Sequence, residues 1–132
     1  MPEWGLYSGR GATHFKERKL HSATGAIAET VLYTEPGWLP GNTCASSRIS
    51  WYLCTVQVGT GGLLKLRIKW TDNSGVRQSY ESGTISTNSL GTFDAQSIFI
   101  HAAYGADVTY ELIETGAPSG YLYDLFLHAE HL

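Results

Sequence analysis

After Arg77 the sequence contains no lysine or arginine at all. Every cation lies in the first 77 residues, while Glu81, Asp94, Asp107, Glu111, Glu114, Asp124 and Glu130 fill the remainder. Nine cations against five acids give the first part +4, and the seven later acids give the rest −7, for a net charge of −3. Such polarity suits contacts between copies of the chain, or a single domain that interleaves its two halves; the interleaved domain is the simpler reading. Charged residues are scarce, at 16%. No apolar run reaches the length of a membrane helix. The opening MPEWGLYSGRG lacks a basic stretch followed by an apolar core, so no signal peptide is expected and the chain should stay in the cytoplasm of the cell that makes it. Cysteine is nearly absent: Cys44 and Cys54 have no second pair with which to build a four-ligand zinc site. They read as two free thiols in a reducing compartment, with Cys54 a small core residue; a bridge between them is the alternative.

What is present points to β-structure. The 132 residues make one domain, large enough to bury a core without metals or disulfides, and 15 glycines supply tight turns. From Gly25 onward, β-like runs recur between turn signals: 26–34, 48–58, 63–71, 76–82, 89–103, 107–114 and 121–131. In 63–71, Leu64, Leu66, Ile68 and Trp70 alternate with Lys65, Arg67 and Lys69. The run 48–58 carries apolar residues on both faces, as a strand covered on both sides does. Seven or eight strands with a period of 2 and no convincing helix predict an all-β, antiparallel sandwich over residues 25–132. Residues 1–24 hold no sustained period beyond one helical turn around Phe15–Leu20. With Trp4, Tyr7 and Phe15 among Lys16, Arg18 and Lys19, they read as an N-terminal docking arm.

Catalytic chemistry finds no frame. There is no G-x-S-x-G, no P-loop and no paired carboxylates at a defined spacing, and GTGG lacks the lysine and following helix of a phosphate cradle. The chain is therefore read as non-enzymatic, without cofactor or metal. In the closing HAEH, His128 and Glu130 share a strand face while His131 points away, which defeats a three-ligand metal site. His101, within IFIHAA, reads as a core or inter-subunit histidine. Lys65, Arg67 and Lys69 repel one another unless water or acids lie opposite, and three cations in a net negative domain are a poor footprint for nucleic acid. Trp38, in the loop EPGWLPGN, is the candidate glycan contact of an alternative reading, a carbohydrate-binding module. Trp51, Tyr121 and Tyr123 read as core or subunit-contact residues.

The last strand carries the sharpest expectation. Tyr121, Tyr123, Leu125 and Leu127 share one face, and Leu122, Phe126 and His128 share the other with only Asp124 charged. If the first face packs inward, the second needs cover from another subunit or from the arm. Phe126 is expected at a subunit contact near an assembly axis, with Leu122, His101 and His128 in the same contact.

Two stretches, WYLCTVQVGTGGLLKLRIKWTDNSGVRQSYESGTISTNSLGTF and VTYELIETGAPSGYLYDLFLHAEHL, resemble small tailed-phage and prophage virion proteins. The likeness runs from about Gly25 to Leu132, about four-fifths of the chain, and rests on the turn at Trp70, Thr71 and Asp72, on Val108–Tyr110, and on the closing strand from Tyr121 to Leu132. It implies a jelly-roll sandwich similar to trimeric tumour-necrosis-factor-like heads, and a structural role in the virion as a capsid decoration, head-fibre or tail-associated component. The implied partners are further copies of the chain, as a trimer, and other virion proteins, with assembly in the host cytoplasm. No membrane insertion follows from it.

Overall fold

The computed structural model describes residues 15–35 and 45–132. Nine strands form two sheets: β1 Phe15–Ala23, β2 Ile27–Thr34, β3 Ala45–Gln57, β4 Leu63–Thr71, β5 Arg77–Glu81, β6 Ile85–Ser86, β7 Phe93–Ala102, β8 Asp107–Thr115 and β9 Leu122–His131. A four-stranded sheet has the order β1-β9-β3-β7, and a five-stranded sheet the order β2-β8-β4-β5 with β6 also on β4. Every pairing is antiparallel, and β1 with β9, β2 with β8, β3 with β7 and β4 with β5 are nested pairs. That nesting is a four-pair ribbon rolled into two sheets, the jelly-roll form of the sandwich expected from the strand spacing. The ninth strand is the two-residue β6. No helix among the described residues is long and apolar enough to cross a membrane.

Period-2 alternation explains the core. Leu64, Leu66 and Ile68 of β4 turn inward to meet Ile49 and Leu53 of β3, Ile100 of β7, Leu112 of β8, and Leu125 and Leu127 of β9. Three tyrosines, Tyr110, Tyr121 and Tyr123, are fully buried with them. Each of these three hydroxyls has a hydrogen-bond partner: Arg18 Nε donates to Tyr110, Tyr121 donates to Glu114, and Tyr123 donates to the Gly25 carbonyl. Burial pushes the Tyr123 hydroxyl up to about 12.

The N-terminal boundary differs from the expected one. Nine residues of the segment read as an arm, Phe15–Ala23, form β1, paired with β9 from Phe15↔Glu130 to Ala23↔Tyr123. The alternation is hidden there because inward-facing Arg18 is a cation held by Tyr110 rather than an aliphatic residue. The expected helical turn at Phe15–Leu20 is replaced by this strand. Trp4 and Tyr7 lie outside the described residues, as do Trp38 and Cys44.

Two turns show why their residues are needed. In the DNSG turn, Asp72 Oδ1 accepts from the Ser74 and Val76 amides, and Gly75 takes φ +81°. In GTGG, a side chain at Gly59 would strike the Ser119 carbonyl at 2.1 Å, and one at Gly62 would strike the Pro118 ring at 2.7 Å. GTGG is thus a seat for the loop 116–120, with Thr60 and Ser119 exchanging hydrogen bonds.

Candidate functional site: two outer faces of opposite character

The outer face of the five-stranded sheet answers what Lys65, Arg67 and Lys69 are facing. Register places Arg67 between Glu81 of β5 and Glu111 of β8. Lys65 reaches Glu81 at 2.8 Å, and Arg67 reaches Glu81 at 2.6 Å and Glu111 at 3.3 Å. Lys69 lies 3.3 Å from Glu29 and 3.4 Å from Glu111, and Arg77 lies 2.8 Å from Glu29. The Lys65 ammonium, and then the Arg67 guanidinium, hold the Glu81 carboxyl below its ordinary value. The Thr109 hydroxyl, aided by Arg77 and Lys69, does the same for Glu29. Cations of the first part of the chain therefore meet acids of both parts within one molecule, and this face stays wet.

The outer face of the four-stranded sheet is different. Cross-strand register arranges it in rows: Phe15–Glu130–Arg48–Phe99, then Glu17–His128–Ser50–Ser97, then Lys19–Phe126–Tyr52–Ala95, then Asp124–Cys54–Phe93. Phe15 is 60% exposed, Tyr52 40%, Phe93 61%, Phe99 66% and Phe126 48%. At about 200 Å² per ring, these five leave on the order of 500 Å² of aromatic side chain in water, close to the largest apolar patch of an ordinary monomer. Tyr52 and Phe93 stack at 5.6 Å, and Phe15 stacks on the His128 ring at 5.6 Å. The few charges are matched in place: Arg48 to Glu130 at 2.7 Å, and His128 to Glu17 at 3.1 Å. Cys54 carries a free thiol and lies half-buried on this face. The expectation of a core position is corrected, because β3 buries its odd-numbered residues Ile49, Trp51 and Leu53. The same alternation corrects the idea that 48–58 is covered on both sides: Tyr52 and Val58 are exposed.

Of the expected contact residues, Phe126, Leu122 and His128 share this face, with His128 one row from Phe126. His101 also faces outward but pairs with Ser46, three rows from the Phe126–Tyr52 pair, about 20 Å along the strands. The structure does not bring it to Phe126. Of the expected arm residues, Phe15 and Lys19 stand on this face of β1, and Lys16 and Arg18 on its reverse. The sequence reading did not place Tyr52, Phe93 or Phe99 in the subunit contact. The signal was available in the even spacing of Phe93 and Phe99 six residues apart, which puts both on one side of a strand.

The strand parity predicted for HAEH holds. His128 and Glu130 lie outward, 3.7 Å apart, while His131 turns to the other side and meets Glu35 at 2.6 Å. Beside that pair, the Tyr33 hydroxyl, Glu35 Oε1 and Ser47 Oγ are buried with no hydrogen-bond partner among the described residues. Trp51, read as core or subunit contact, is core and donates from Nε1 to Asp94 at 2.9 Å.

No protein-family model matches the chain, and no curated protein matches it either.

Proposed function

We propose that the chain is a non-enzymatic structural component of a bacteriophage virion that self-associates through the outer face of its four-stranded sheet. The observation that carries this reading is the contrast between the two faces. One neutralises its charges in a ladder of its own ion pairs, whereas the other leaves five aromatic side chains in water. A pattern of that kind marks an interaction surface on one side of a sandwich. The resemblance to phage virion proteins supplies the setting: a capsid decoration, head-fibre or tail-associated piece, assembled in the host cytoplasm, three copies around an axis near Phe126. Residues 1–14 are the docking segment toward other virion proteins.

Two variants test it. Deleting residues 1–14, rather than 1–24, spares β1, so the protein should fold and self-associate yet fail to join particles. Phe126→Asp should lower the mass in light scattering while keeping a β-type circular dichroism spectrum, because the charge would be desolvated in the contact. Normal incorporation of the truncated chain removes the docking role. An unchanged mass for Phe126→Asp removes the face contact. Binding to a glycan array, abolished by Trp38→Ala, would favour the carbohydrate-binding module instead.

A further inference from the structure

A sandwich of two open sheets has exposed strand edges, and proteins blunt such edges with charge, bulges or brevity. Three of the four edges here are blunted. β1 shows Lys16, Glu17, Arg18 and Lys19 in succession and shifts register between Leu20 and Ala23. β2 shifts register twice, between Ile27 and Thr30 and between Val31 and Tyr33. β5 has five residues and ends in charges at Arg77 and Glu81.

β7 has none of these devices. It pairs with β3 over ten consecutive residues, Ala45↔Ala102 to Cys54↔Phe93, with no shift. Its one acid, Asp94, faces inward and is held by Trp51 Nε1 and Gln96. Its outward row is Phe93, Ala95, Ser97, Phe99 and His101. Among the described residues no strand pairs with its free side. In an antiparallel ladder alternate residues turn their N–H and C=O groups away from the neighbour, so this side offers a straight row of donors and acceptors.

We propose that a second copy of the chain adds to this edge, β7 against β7 and antiparallel, about a twofold axis at Gln96. Four strands become a continuous sheet of eight. The choice of a second copy follows from the strand's self-complementarity. In that register Phe93 stands opposite Phe99 of the second copy, and Phe99 opposite its Phe93, giving two cross-strand aromatic pairs on the exposed face. Ala95 and Ser97 oppose each other twice between them, and no like charges face one another. The contact is isologous, as a twofold requires.

This inference rests on the self-association reading but uses the β7 edge of the sheet rather than the centre of its outer face, with Phe93 and Phe99 belonging to both. Phe126 lies two strands away, about 10 Å from β7. The test uses the full chain in light scattering, with amide hydrogen exchange on β7. Ala95→Lys/Ser97→Lys changes two exposed positions and sets lysines against lysines across the axis, without touching the core. The parent should contain an even number of copies. The double-lysine variant should have half that mass, with β7 amides exchanging roughly tenfold faster or more while β9 amides are unchanged. If the double-lysine variant keeps the parent mass, the edge contact is wrong, and the face reading survives provided Phe126→Asp still lowers the mass. A mass lowered by the lysines but not by Phe126→Asp supports the edge and removes the face. A monomeric parent overturns both.

Discussion

Nε2 of His131 lies 2.6 Å from Oε2 of Glu35, tying the end of β9 in one sheet to the residue after β2 in the other. Glu35 is 1% exposed, and its other oxygen has no hydrogen-bond partner among the described residues. Among the described residues His131 is the side chain that bonds this buried carboxyl group, and its loss leaves that group without this bond. His131→Leu should destabilise the fold by about 3–5 kcal/mol, the cost of stranding one member of a buried pair. Glu35→Gln, which removes the charge but keeps the shape, should cost less. Urea unfolding of the two variants checks this, and equal small losses would show that the pair contributes little.

Trp51 and Asp94 close the side of the sandwich where β7 forms the edge. The indole donates to Asp94, which also accepts from Gln96. Trp51→Phe should keep the fold but lower stability by about 1–3 kcal/mol, through the lost hydrogen bond to a charged group and the smaller ring. Chemical denaturation followed by circular dichroism measures it. A change within about 0.5 kcal/mol, typical of a surface site, would mean that the edge does not depend on this contact.

Alkaline pH should unfold the protein cooperatively. Burial pushes the hydroxyls of Tyr33, Tyr121 and Tyr123 above the ordinary value of 10.0. A raised folded value means that their stabilising contribution is complete below pH 10 and is lost as pH climbs through the folded values. In an ultraviolet titration these three rings should ionise only in step with loss of circular dichroism. Ionisation of these three near pH 10 with the fold intact would contradict their burial.

Acid should act on the other face. Glu29 and Glu81 are held below their ordinary value of 4.5 by their partners. Their contribution is therefore present above that value and disappears as pH falls through the lower folded values. Melting temperature should drop below pH 4.5, and the drop should be smaller in Glu81→Gln. Because these pairs are exposed, added salt should weaken them at neutral pH as well. A melting temperature flat from pH 6 to pH 3 would show the ladder to be thermodynamically silent.

Much of the fold was legible because alternation in this chain is strong where strands are central. β4 was read to the residue, and β2, β3, β8 and β9 to within three residues at each end. β1 was not, because an edge strand needs no apolar stripe: Arg18 meets Tyr110 across the sandwich through a hydrogen bond that no periodicity announces. β6 is too short to show a period. Of the candidate site, Phe126 and its face were readable from β9 alone. The four other aromatic side chains needed register, which sets Tyr52 beside Phe126 and Phe93 one row on.

By itself the sequence determined the class of fold, the inward and outward side of most strands, and the opposite destinations of His128 and His131. Each of these follows from local geometry, since successive side chains of a strand point to opposite faces. The tertiary structure alone decided which strands lie side by side. It settled that Lys65, Arg67 and Lys69 meet acids of their own chain, that Cys54 faces outward among aromatics, and that His101 stands about 20 Å from Phe126. It also left β7 as the plain edge. Strand pairing joins residues far apart in the chain, as Arg18 meets Tyr110 and His131 meets Glu35. Local pattern carries no information about such distances, whereas packing two sheets around one core does.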